Sequence, residues 1–177
     1  MFCTLISNSA YAMIAPFLPI EYEEKGVSGE WVGMIFAVYS VAVIIFSPMV
    51  GMVIQKFGTV NLISGGILFM GCAFICFGLV VQSTSVEKII SLSLLIRFVQ
   101  GASSAFVQTT CYSIAANDYP ESKEAIVGWL EAVTGIGCIM GPVVGSILYS
   151  AMGFTRTFMA YGIFLIALSF VIKLNMK

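Results

Sequence analysis

Two side chains stand out for the chemistry they could do. Apart from tyrosine and cysteine, Arg97 and Glu131 are the only ionisable residues that fall well inside otherwise uncharged stretches, Ile89–Asn117 and Ala125–Thr155. A charge held there either pairs, faces a polar interior or lines a pathway. A glutamate in that setting can take up and release a proton, and an arginine nearby would bias that exchange. The bland alternative is a permanent ion pair holding two helices together. Around these charges lie uncharged candidates for a cavity wall: Asn8, Tyr11, Tyr39, Gln100, Gln108 and Tyr112. The tyrosines, with Trp129, offer aromatic faces to a cation.

Much other chemistry is excluded. Histidine is absent, which removes Ser-His and Cys-His catalysis and the usual zinc sites. Cys3, Cys72, Cys76, Cys111 and Cys138 are scattered through apolar stretches. Cys72 and Cys76 share a helix face, where small packing residues are expected rather than a redox or metal pair. The one aspartate, Asp118, sits in a loop, so a membrane-embedded aspartyl pair is out. Neither an enzyme, a metal nor a cofactor is expected. With 9 acidic and 8 basic residues, no basic field exists for nucleic acid.

The elements that must position these residues follow from composition. Of 177 residues 59% are hydrophobic and only 10% charged, and the mean hydropathy is +1.02. Soluble domains carry about 25% charged residues, so this chain cannot clothe a globule in polar surface. A bilayer core needs about 20 apolar helical residues. The charge-free runs predict six spans with cores near 1–20, 31–54, 60–82, 89–116, 125–150 and 156–173. The first lacks a basic leader and a small-residue cleavage site, so a signal peptide is not expected. Membrane lipid is the expected surroundings. Basic residues in the short connections are too evenly divided to orient the spans. Counting rise from the predicted span ends puts Arg97 and Glu131 about 9 Å apart in depth, close enough to leave a pair open.

The second and fifth spans carry one pattern. Val32-Gly33, Ser47-Pro48-Met49-Val50-Gly51 and Phe57-Gly58 match Val127-Gly128, Gly141-Pro142-Val143-Val144-Gly145 and Met152-Gly153, offset by 94 or 95 residues. Three spans separate the copies, and three is odd. The copies therefore cross the membrane in opposite directions, as in the inverted three-plus-three repeats of secondary transporters. Pro48 and Pro142 each remove one helical hydrogen bond. Gly137, Gly141 and Gly145 form a smooth ridge for close helix packing.

These residues resemble a known family. Gly128, Gly137, Gly141-Pro142 and Gly145 are similar to the glycine-proline motif of the proton-coupled antiporter branch of the major facilitator superfamily, with Ser146 replacing its final glycine. Arg97-Phe98-Val99-Gln100-Gly101 fits the superfamily's R-x-x-Q-G motif, and Gly51 to Gly58 resembles its signature cytoplasmic loop. The stretches APFLPIEYEEKGVSGEWVGMIF and GWLEAVTGIGCIMGPVVG resemble the vesicular amine transporters, in particular their polyamine-type branch.

The resemblance implies an all-α membrane fold, with 1–177 as the N-terminal six-helix half of a twelve-helix transporter whose second half is absent from this chain. It places residues 55–59 in the cytoplasm, in a vesicular, endomembrane or plasma membrane. It implies alternating access, with substrate bound between two six-helix halves; the two charges inside the spans add the expectation that Glu131 exchanges a proton against a small organic cation while Arg97 tunes it. The loop motif (Gly51, Gln55, Lys56, Gly58) departs from the pattern: Gln55 stands for the aspartate, and Thr59-Val60 for a basic pair. In the family those charges latch the inward gate. The first span also lacks the acid that monoamine members carry. A transporter-derived structural subunit without transport is the competing reading, and the altered loop favours it.

Overall fold

The computed structural model describes residues 1–83 and 85–175, and all its regular elements are helical. They are α1 (Phe2–Met13), α2 (Leu18–Glu24), α3 (Gly29–Phe57), α4 (Thr59–Val80) and α5 (Val86–Asp118), then one 3₁₀ turn (Pro120–Ser122). Helical hydrogen bonding then runs through Lys123–Asn175, but Gly153 breaks it, with φ 75° and ψ 176°. We call its two arms α6 (123–152) and α7 (154–175). Six crossings result, each long enough for a bilayer.

The first crossing is not the single helix expected over 1–20. It is interrupted at residues 14–17 and resumes as α2, which carries the crossing to Glu24. Pro16 has no N–H to continue α1, and Pro19 sits in the first turn of α2, where a missing donor costs nothing. The second arm is tied down by its partners. Phe17 stacks on Tyr149 with ring centres 4.7 Å apart, and the Tyr149 hydroxyl donates to Glu21 Oε2 at 3.2 Å.

The helices pair as an inverted repeat demands. Exchanging crossings one and four, two and five, and three and six maps the pair α1·α6 onto α5·α3 and the pair α4·α7 onto itself. Those are principal contacts, and α4·α5 is as extensive as α1·α6. In α1·α6 the helices run parallel: a Cβ on Gly137, Gly141 or Gly145 would lie 2.6, 2.5 or 2.6 Å from Leu5 O, Ser9 O or Met13 Cγ. In α3·α5 it is Gly101 that admits the partner, lying against the Tyr39 carbonyl. In α4·α7 the helices run antiparallel. Gly71 meets Gly162, Gly78 meets Phe158, and Ser169 donates to Ser64 O at 2.7 Å. Phe74, Phe77, Phe154, Phe158 and Tyr161 fill the space between these two helices.

Both helical hairpins of the repeat turn on one residue. Gly58 has φ 75° and ψ 153°, and Gly153, 95 positions on, has nearly the same angles. That region is essentially closed to side chains. Neither glycine has an atom within 4 Å of where a Cβ would sit, so the constraint is conformational and not steric. Gly153→Ala is expected to destabilise by about 1–3 kcal/mol, whereas Gly128→Ala, helical and equally open, should be neutral or mildly stabilising. Thermal midpoints of the two purified variants test this. By contrast, α3 and α6 continue through Pro48 and Pro142 without a break. Ser47 Oγ bonds back to Val43 O at 2.7 Å beside the first of these.

Candidate functional site

One face of α5 carries Ser93, Arg97, Gln100, Ser104, Gln108 and Tyr112, at spacings of three or four residues that stack them in a single stripe. The rest of α5 is mainly apolar, so the stripe must find its partners on the helices that cover it. Those helices are α1, α2, α3, α4 and α6.

The stripe is sealed at one end and open at the other. At the sealed end the Tyr22 hydroxyl meets Ser93 Oγ at 2.5 Å, and Ser93 donates to Ile89 O. Arg97 follows, fully buried. Its guanidinium lies over Phe36, Tyr39 and Phe77, with 4.8, 5.7 and 5.5 Å to the ring centres. Arg97 Nη1 donates to Gln100 Oε1 at 3.2 Å, while Nε and Nη2 have no acceptor among the described residues. Aromatic faces offset part of the cost of burying this charge. Further along, Tyr11 stacks on Tyr39 at 4.5 Å. Ser7 and Ser104 share a hydrogen bond at 3.2 Å, and Gln108 donates to Ser104 at 2.8 Å. Asn8 donates to Thr4 O and to Thr134 Oγ1.

At the open end the Tyr112 hydroxyl donates to Glu131 Oε1 at 2.6 Å. Glu131 is exposed and Tyr112 partly so. Trp129, two residues earlier, is 64% exposed.

The structure thus sets Asn8, Tyr11, Tyr39, Arg97, Gln100, Gln108, Tyr112 and Glu131 along this one stripe and its covering helices, while Trp129 is largely exposed. It does not bring Arg97 to Glu131. Fifteen residues of helix, about 22 Å of rise, separate Arg97 from the tyrosine that holds the carboxylate. The ion pair left open by the sequence is therefore corrected: the two charges occupy opposite ends of one stripe. Sequence reasoning missed Tyr22, Ser93, Ser104 and Thr134. Ser93 and Ser104 fall on the helical register of Arg97, Gln100 and Gln108, a signal that was legible.

The motif residues divide by role. Gly137, Gly141 and Gly145 are buried against α1, and Pro142 is partly buried beside them. Gly128 and Gly51 are exposed and touch nothing, so neither serves packing within this chain. Gln55 and Lys56 are exposed at the end of α3, just before the Gly58 turn. Gln55 shares a small pocket with Thr59, Ser113, Asn117 and Asp118. A carboxylate from the end of α5 therefore stands near the position where the loop motif itself lacks one.

Known proteins fall in line with this architecture. The chain is 30% identical over 156 residues to the human MFS-type transporter SLC18B1, covering 88% of this chain and 34% of that protein. It is 26% identical over 137 residues to multidrug resistance protein 1 of Bacillus subtilis, covering 77% of this chain and 33% of the relative. With the multidrug resistance protein MdtG of Escherichia coli it shares 26% identity over 172 residues, covering 94% and 40%. The chain spans about a third of the length of the first two and about two fifths of the third. The family profile of the Major Facilitator Superfamily matches residues 1–175. With six apolar crossings in two inverted triplets, this multi-pass membrane chain belongs to the Major Facilitator Superfamily.

Proposed function

We propose that the chain is the N-terminal half of a secondary active transporter working by alternating access, and that it exchanges protons for a small organic cation such as an amine or polyamine. The observation that carries the reading is the open end of the stripe. Glu131 is an exposed carboxylate at membrane level, held by a tyrosine and without a basic partner among the described residues. A carboxylate so placed can bind a proton or an ammonium, but not both at once, and that exclusion is the elementary step of antiport. A second six-helix half would close the cavity over it. Residues 55–59 then face the cytoplasm, in an endomembrane or the plasma membrane.

Arg97 plays a different part from the one its chemistry first implied. Two unit charges about 22 Å apart at an effective dielectric of about 20 interact by only about 0.8 kcal/mol. Arg97 is then chiefly the anchor of the sealed end, pinning α5 to α3 and α4 through three aromatic rings.

The decisive experiment reconstitutes the complete protein in liposomes and imposes a pH gradient. Accumulation of labelled spermidine that collapses when the gradient is dissipated is the expected result. Absence of gradient-driven uptake of any amine tested would favour a structural subunit instead. Within that assay, Tyr112→Phe removes a hydrogen bond to a charged group worth up to about 1.5 kcal/mol at so open a site. Uptake below saturation should fall up to about tenfold, with the thermal midpoint unchanged because the ring remains.

A further inference from the structure

On the flank of the bundle away from the polar stripe, α3 and α4 make little contact beyond the Gly58 turn and leave a groove floored by α5. Its volume is about 330 Å³, and its walls are Phe46 from α3, Leu62, Gly65 and Phe69 from α4, and Phe98 and Phe106 from α5. Phe98, Ala102 and Phe106 form one i, i+4 row of α5. At 3.6 residues per turn that row lies roughly opposite the row of Arg97, Ser104 and Gln108. The groove and the candidate site therefore look in opposite directions.

Several observations say what fills it. Phe69 at its mouth is 62% exposed, on a helix that crosses a bilayer, so the medium it meets is hydrocarbon. Its two polar residues turn back on their own helices: Ser103 Oγ donates to Val99 O at 2.8 Å, and Asn61 Nδ2 to Phe57 O at 3.0 Å. Apart from Asn61 at one end, the lining is apolar or, at Ser103, already hydrogen-bonded, so along its length nothing would orient a polar or charged ligand. The α4 wall is open at Gly65, where a Cβ would meet no atom within 4 Å, while its neighbour Gly66 packs tightly on Val107 and Phe106. Asn61 marks the end of the groove nearest the Gly58 turn, where exposed Lys56 ends α3. A cation at that level suits the phosphate of a lipid headgroup.

We propose that this groove is a binding site for one acyl chain of a membrane phospholipid, its phosphate lying near Lys56 and Asn61 and its tail running past Gly65 between the four phenylalanines. A flexible chain can follow walls set by separate rings; a rigid sterol cannot.

The test uses the complete protein in liposomes containing a phosphatidylcholine with a photoactivatable acyl chain. Cross-linked peptides are mapped by mass spectrometry. Labelling should concentrate on residues 61–69 and 98–106. It should fall at least fivefold in Gly65→Leu, whose side chain fills the groove from α4, while labelling of the exposed α7 face at Ile163 and Phe170 is unchanged. Ala102→Phe blocks the groove from α5 and serves if Gly65→Leu fails to fold. Even labelling of all apolar faces, or undiminished labelling in both variants, would overturn the proposal. So would occupancy by a sterol or an amine probe in place of the phospholipid.

Discussion

Glu131→Gln is expected to abolish proton-driven amine uptake by the complete protein while leaving the fold intact. Glutamine matches the shape of glutamate, and its amide oxygen can still accept from the Tyr112 hydroxyl that now holds the carboxylate at 2.6 Å. The side chain is exposed, so no buried partner is stranded by the change. What is lost is the ability to carry a proton, and with it the coupling of the two gradients. Exchange of labelled for unlabelled amine across the membrane needs no net proton movement. It should therefore survive to a measurable degree, provided ammonium binding has other contributors such as Tyr11 and Tyr112. The two assays run in parallel on one preparation. Gradient-driven accumulation at the wild-type level would remove Glu131 from the mechanism and leave the carboxylate a mere surface group.

The second large effect is structural. A Cβ at Gly141 would lie 2.5 Å from Ser9 O, 2.9 Å from Met13 N and 3.0 Å from the Ala12 side chain. Two of these three neighbours are backbone atoms of α1, which cannot swing aside as the end of a side chain can. Gly141→Val must then push α1 away from α6 along the whole ridge that Gly137 and Gly145 share. Overpacking of cores costs about 1–3 kcal/mol, occasionally more. Backbone on both sides places this substitution at or above the top of that range. A thermal midpoint well below wild type, or failure to recover monodisperse protein, is the expected outcome. A Gly141→Val protein as stable as Gly128→Ala would show that the ridge is not an interface. The α1·α6 contact also carries Asn8 and Thr134, so whatever folds of the variant should have a disturbed cavity wall.

Much of this architecture was legible in the residues, for identifiable reasons. Charges are so expensive in hydrocarbon that their absence alone marks the crossings. The 94- and 95-residue offsets carried the inverted repeat, because turn glycines and helix prolines have few substitutes. Other features depend on which helix lies opposite, and no single strand of sequence contains that. Gly51 and Gly145 hold matching places in the repeat, yet Gly145 packs on Met13 and Phe17 while Gly51 touches nothing. Depth counted from predicted span ends put Arg97 and Glu131 near each other. That count set both residues within a core of about 30 Å, whereas α5 runs for 33 residues, about 50 Å of rise, and the extra length separates them along the helix axis. Pro16 and Pro19 were visible as helix breakers. That the chain resumes as α2 and completes the crossing depends on Tyr149 reaching back to Glu21 and Phe17.

The matched turns at Gly58 and Gly153 have a mechanical corollary. A one-residue joint holds no slack: it cannot stretch, and it resists twisting because its dihedral angles lie in a narrow basin. The two rods that meet there are obliged to tilt together, like the limbs of a bent wire. With both hairpins so constrained, and α4 clamped to α7 between them, a tilt of α3 or α6 is passed to this central pair.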